Sequence, residues 1–162
     1  MTGEHDVAPV IRRAAPADAG TLTAIAHAAK RHWDYPADWM AGWDSTLTLG
    51  TDDLERLDVF VIEVGGRVMG FSATRPGASR WVLEHLWVTP DAMGRGLGRR
   101  LVAHALARAT AAGAVGLDIE SDPKAEGFYA RLGARRIGWT AAPVPGAAER
   151  RLPHLVLDHP RS

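Results

Sequence analysis

The stretch LEHLWVTPDAMGRGLGRRLVAHAL, Leu83 to Leu106, joins a strand-like run to a break at Pro90, three glycines in five positions, and an apolar-striped helix. After Gly98, Leu101, Ala105 and Ala109 recur at i, i+4 spacing, with Val102 and Leu106 widening the stripe. This predicts a core-facing helix ending near Gly113. Glycine lets backbone N–H groups approach a ligand with no Cβ in the way. A helix start leaves its first N–H groups unpaired at the positive end of the macrodipole. The run from Gly94 through Arg95, Gly96, Leu97 and Gly98 to Arg99 therefore reads as an anion cradle, most often for phosphate, with arginines in reach of outer oxygens. A Walker loop needs Lys and then Ser/Thr after its last glycine, where Arg99 and Arg100 stand. A dinucleotide fingerprint needs a small residue at position 99 and a place after the first strand, whereas this turn follows the fourth. The remaining alternative is a tight turn whose glycines only relieve crowding.

Working outward, Val10–Ala14 reads as a short strand. Asp18 offers a cap for a helix in which Leu22, Ile25 and Ala29 recur at helical spacing. A second helix starts at Pro36, with Trp39, Met40 and Trp43 on neighbouring turns, and Thr51 begins one more short turn. Asp58–Val64 and Arg67–Thr74 flank Gly65-Gly66 as a hairpin. Further strands are read at Trp81–Thr89, Val115–Glu120, Ala134–Ala141 and in the final LPHLVLD, with a short helix ending at Gly133. The order β-α-α-β-β-β-α-β-α-β-β predicts an α/β (α+β) sheet with helices packed on it.

Composition narrows the function. The 162 residues fit one domain, assigned to positions 10–160 after a loose tail over 1–9. Lys+Arg and Asp+Glu both number 19, so no overall field attracts nucleic acid or an anionic membrane, and any anion site is local. The absence of cysteine removes thiolate nucleophiles and Cys-based zinc sites, and no histidine spacing suggests a metal. No signal segment or membrane-length apolar run stands out, so a cytoplasmic protein is expected.

Two motifs resemble those of the GNAT superfamily of acyl-CoA-dependent N-acetyltransferases. Val88-Thr89-Pro90-Asp91-Ala92 followed by Met93-Gly94-Arg95-Gly96-Leu97-Gly98 is similar to its central strand–turn–helix motif. Ala125-Glu126-Gly127-Phe128-Tyr129-Ala130-Arg131-Leu132-Gly133-Ala134 is similar to its second helix motif. Met93 departs from the usual Gln or Arg, and Asp122 stands where many relatives carry Asn seven residues before the tyrosine. The resemblance implies a mixed, mostly antiparallel sheet of about six to seven strands, with a splayed strand pair holding acetyl-CoA. Leu86, Trp87 and Val88 would take the pantetheine along a strand edge, and a bulge would re-aim an N–H toward the thioester. Met93 through Arg99 would hold the pyrophosphate, with Asp122 and Phe128 beside the thioester arm.

The resemblance also implies roles. Glu84 is the expected general base for the amine and Tyr129 the general acid for the departing thiolate. His85, adjacent to Glu84, points to the other face of an unbent strand and is the poorer base. His32, Trp33, Tyr35 and Trp81 are candidates for an acceptor pocket; Trp39 could join Trp33 and Tyr35 in an aromatic wall, but Trp39 and Trp43 read rather as core residues of an amphipathic helix. The expected activity is N-acetylation of a small-molecule or amino-acid-like amine, with homodimerisation carried over from relatives. Alternatives are acetylation of a protein lysine or N-terminus, and a non-catalytic acyl-CoA sensor.

Overall fold

The computed structural model describes residues 7–160; the tail expected over 1–9 lies outside the described residues as far as position 6. Strands β1 (Val10–Arg13), β2 (Asp58–Val64), β3 (Arg67–Arg75), β4 (Trp81–Val88), β5 (Gly116–Glu120), β6 (Arg135–Ala141) and β7 (Arg151–Asp158) form one sheet in the order β1-β2-β3-β4-β5-β7-β6. Neighbours pair antiparallel except β4 and β5, which run parallel. A parallel step needs a crossover, and helix α4 (Leu97–Ala111) supplies it.

Period-two alternation sends the strands' apolar residues to both faces. On one, Val59, Val61, Phe71 and Ala73 pack under α1 (Ala19–Arg31) through Leu22, Ile25 and Ala26. On the other, Val102, Ala105 and Ala109 of α4 meet Leu83, Leu117, Ile119, Leu155 and Leu157, while Leu101 rests on Ile62 and Met69. Helix α5 (Glu126–Arg131) joins this second layer and brings Tyr129 into it.

Local differences from the sequence reading have physical causes. Asp18 does not cap α1 with its side chain; it accepts from the Ala15 amide at 2.7 Å and pairs with Arg12. Three residues past the end of α1, Asp34 takes a left-handed φ of 58°, a conformation Asp tolerates better than most residues. Helix α2 covers only Ala37–Gly42, and Trp43 onward is turn. Helix α3 (Thr51–Arg56) starts from Gly50, whose amide donates to Asp53 at 2.8 Å. Among the described residues no helix is long and apolar enough to cross a membrane.

Candidate active site

The parallel ladder between β4 and β5 lasts three pairs, Trp81–Leu117, Val82–Asp118 and Leu83–Ile119, and then stops. Beyond Leu83 the strand stays paired with β3, from His85–Ala73 to Val88–Gly70, but on its other side no described strand follows it. The register against β3 shifts between Ala73 and Thr74, which face His85 and Leu83, so Glu84 is the extra residue of a bulge. Packing agrees: Leu83 and Leu86, three apart, both reach the α4–α5 layer, where plain alternation would separate them. His85 is thus displaced from its expected place, and both Glu84 and His85 line the cleft that opens between the diverging strands.

That cleft holds about 560 Å³. Leu86, Trp87 and Val88 form one wall, Met93, Gly94 and Gly96–Arg99 one end, and Phe128 and Tyr129 the α5 side. Gly94 and Gly96 have φ of 83° and 80°, and a Cβ on either would meet nothing within 4 Å beyond its immediate chain neighbours. The first backward amide bond of α4 is Arg100 N to Gly96 O at 3.1 Å, which leaves the N–H groups of Leu97, Gly98 and Arg99 free for a ligand. Gly98 serves packing, since a Cβ there would come 3.2 Å from the Phe128 ring. Arg99 lines the cleft, whereas exposed Arg95 does not; Lys124 and Arg131 add two cations unnoticed in the sequence. An open strand edge leading to an amide cradle suits a ligand with a thin amide-bearing arm and an anionic end. Gly96→Val is expected to weaken coenzyme A binding at least about tenfold by calorimetry, because a branched side chain at positive φ is strained and would fill the cradle. Unchanged affinity would refute the cradle.

Glu84 pairs with Arg75 of β3 through Oε1. Tyr129 is buried, its hydroxyl bonds to no side chain or backbone group among the described residues, and it lines the cleft. Burial first, and then the negative charge of Asp122, push its pKa well above the usual phenol value.

Asp122 is a structural junction. Its carboxylate accepts from Lys30 Nζ at 2.6 Å, the Tyr35 hydroxyl at 2.8 Å and the Lys124 amide at 2.8 Å. Burial pushes Asp122 upward, but the Lys30 bond and charge, the Lys124 amide and Tyr35 together hold it below the usual carboxylate value. Lys30 moves the other way from a simple pair: burial, joined by the charges of Arg150 and Lys124, lowers it against the pull of Asp122.

The aromatic residues divide accordingly. Trp33 lines the cleft with Ala29. Tyr35 stacks on Trp39 at 5.6 Å and meets Trp43 edge-on at 5.2 Å, and this group is covered by the protein's own cations: Lys30 lies 4.2 Å from Trp43, Lys124 4.5 Å from Tyr35, and Arg150 5.1 Å from Trp43. Trp39 also donates to Pro145 O at 2.7 Å, docking the β6–β7 loop. His32 is exposed against the Trp33 edge, and Trp81 packs beside the α4 core; neither lines the cleft.

Residues 25–134 match the family model described as the acetyltransferase (GNAT) family. The chain belongs to the GNAT family. Members are acyl-CoA-dependent N-acetyltransferases, and acetyl-CoA is their co-substrate. A blasticidin-S acetyltransferase of Streptomyces morookaense is 40% identical over 86 residues, 50% of this chain and 60% of the relative's length. Two solved structures share the GNAT fold. A GCN5-related N-acetyltransferase from Rhodopseudomonas palustris is 21% identical, with TM-score 0.78 over 94% of this chain and 98% of that one. The PaiA N-acetyltransferase from Thermoplasma acidophilum, in complex with coenzyme A, is 14% identical, with TM-score 0.74 over 94% and 99%.

Proposed function

We propose that this chain, as one domain over 10–160, transfers an acetyl group from acetyl-CoA to the primary amine of a small polar or amino-acid-like molecule. The observation that carries the reading is the single cleft that gathers an open strand edge, an amide cradle, Glu84 and Tyr129. Bound acetyl-CoA supplies an activated thioester carbonyl. Leu86–Val88 hold the arm leading to it, and Gly94–Arg99 the anionic end. An alkyl ammonium, with a pKa of about 10.4, must lose a proton before it attacks, and Glu84 receives that proton. Tyr129 gives its proton to the sulfur that departs as a C–N bond replaces the C–S bond. A phenol with its ordinary pKa of about 10 already holds its proton in the neutral range, and burial raises that value further. The likeness to a blasticidin-S acetyltransferase supports a small acceptor.

The test measures thiol release from acetyl-CoA with blasticidin S, amino-acid amides and a lysine-bearing peptide. Turnover on a small amine is expected. Turnover on the peptide alone would point to protein acetylation, and acetyl-CoA binding without turnover would leave only a sensor. Tyr129→Phe is expected to lower kcat by about 10²-fold at unchanged acetyl-CoA affinity; wild-type turnover would remove Tyr129 from the reaction.

A further inference from the structure

The bulge brings a second titratable group to the cleft beside Glu84, and its hydrogen bonding assigns it a different job. Trp87 Nε1 lies 3.0 Å from His85 Nδ1. An indole N–H can only donate, so Nδ1 must present its lone pair, and the neutral ring carries its proton on Nε2. The geometry excludes the reverse tautomer, and a doubly protonated ring would set one N–H against another. Nε2 bonds to none of the described residues and is not sealed away from solvent.

We propose that His85 is a neutral hydrogen-bond donor to the acceptor substrate, held in the Nε2–H form by Trp87, and that the acceptor therefore carries an oxygen beside its reactive amine. Trp87 is a positioning residue that acts through His85. The surroundings favour the neutral ring. Phe71 of β3 lies 6.0 Å away, and burial lowers the His85 pKa against the pull of Glu84 on its own strand and Asp53 of α3, with Arg56 of α3 adding to the lowering. A ring whose basic nitrogen is already engaged cannot relieve Glu84 as base. It offers a carbonyl, carboxylate or hydroxyl oxygen a fixed point from which the neighbouring amine is aligned. The donor role rests on the acetyltransferase reading; the tautomer does not.

Two measurements separate these. Nitrogen-15 spectra of histidine-labelled protein should show His85 as a neutral Nε2–H ring at pH 7. In Trp87→Phe, freeing Nδ1 should mix the tautomers and move the titration to higher pH. A wild-type Nδ1–H or imidazolium signal would overturn the lock. Kinetics use blasticidin S, or the best amine of the panel above. His85→Leu should raise the acceptor KM about tenfold, the worth of one hydrogen bond, without moving the acid limb of the pH profile. His85→Gln, which keeps an N–H donor, should restore most of that loss. Loss of the acid limb in both variants would make His85 a base, and no effect in either would remove it from acceptor binding. A wild type silent on every amine would sink the reaction and the donor role, leaving the tautomer to be judged by the spectrum.

Discussion

Glu84→Gln is expected to lower kcat for amine acetylation by about 10²–10⁴-fold, with acetyl-CoA affinity kept. The amide is isosteric, its oxygen can still accept from Arg75, and the bulge that carries the residue is formed by backbone. What disappears is the group that takes the proton. The variant would then depend on the fraction of amine already neutral in solution, which rises about tenfold per pH unit below a pKa of about 10.4. Its rate should therefore climb with pH and close on wild type in alkali. Stopped assays across pH in paired buffers would show this. Wild-type turnover by the variant at pH 7 would hand the proton to water or another group.

Asp122→Ala is expected to remove about 3–5 kcal/mol of stability, read as a lower urea midpoint at unchanged slope. The change strands Lys30, whose side chain is only 11% exposed, and takes the partner from Tyr35. A buried pair is costly to break from one side because the remaining charge has no compensation. Two pH trends follow. Because Asp122 is held below its ordinary value, its contribution is present above the usual carboxylate range and lost as pH falls through the lowered value, so the gap to the variant narrows in acid. Because burial lowers Lys30, the variant should regain stability as pH rises and the stranded ammonium sheds its proton. Pairing Asp122→Ala with Lys30→Met should recover much of the loss. A single-variant loss under about 1 kcal/mol would deny the junction its structural weight.

Much of this molecule could be read from its residues because the signals are local. Alternation located the strands, Gly65-Gly66 marked a hairpin, and the glycine turn sits at the start of α4. The family resemblance implies a bulge somewhere in this strand, but no glycine or proline marks Glu84 as its place, so plain alternation puts His85 on the face opposite Glu84. Asp122 resisted for another reason: its partners Lys30 and Tyr35 lie 92 and 87 positions away. Tyr35 and Trp39, with Trp33, suggest a pocket wall by composition, yet a cation finds the faces of Tyr35 and Trp39 whether it comes from a ligand or from Lys30, Lys124 and Arg150. Only packing tells the two apart.

The three-pair seam between β4 and β5 has a consequence for solubility. Ending the ladder at Leu83 and Ile119 creates a free strand edge in the middle of the sheet instead of at its rim. Free edges recruit strands from other chains and seed aggregates. Here the edge is recessed, with Ala29 of α1 and Trp33 just beyond that helix on one flank and Phe128 and Tyr129 of α5 on the other. A second polypeptide ribbon carries side chains on both faces and needs more room beside such an edge than a single unbranched arm does. The same walls that shape the cleft protect the protein from its own exposed backbone.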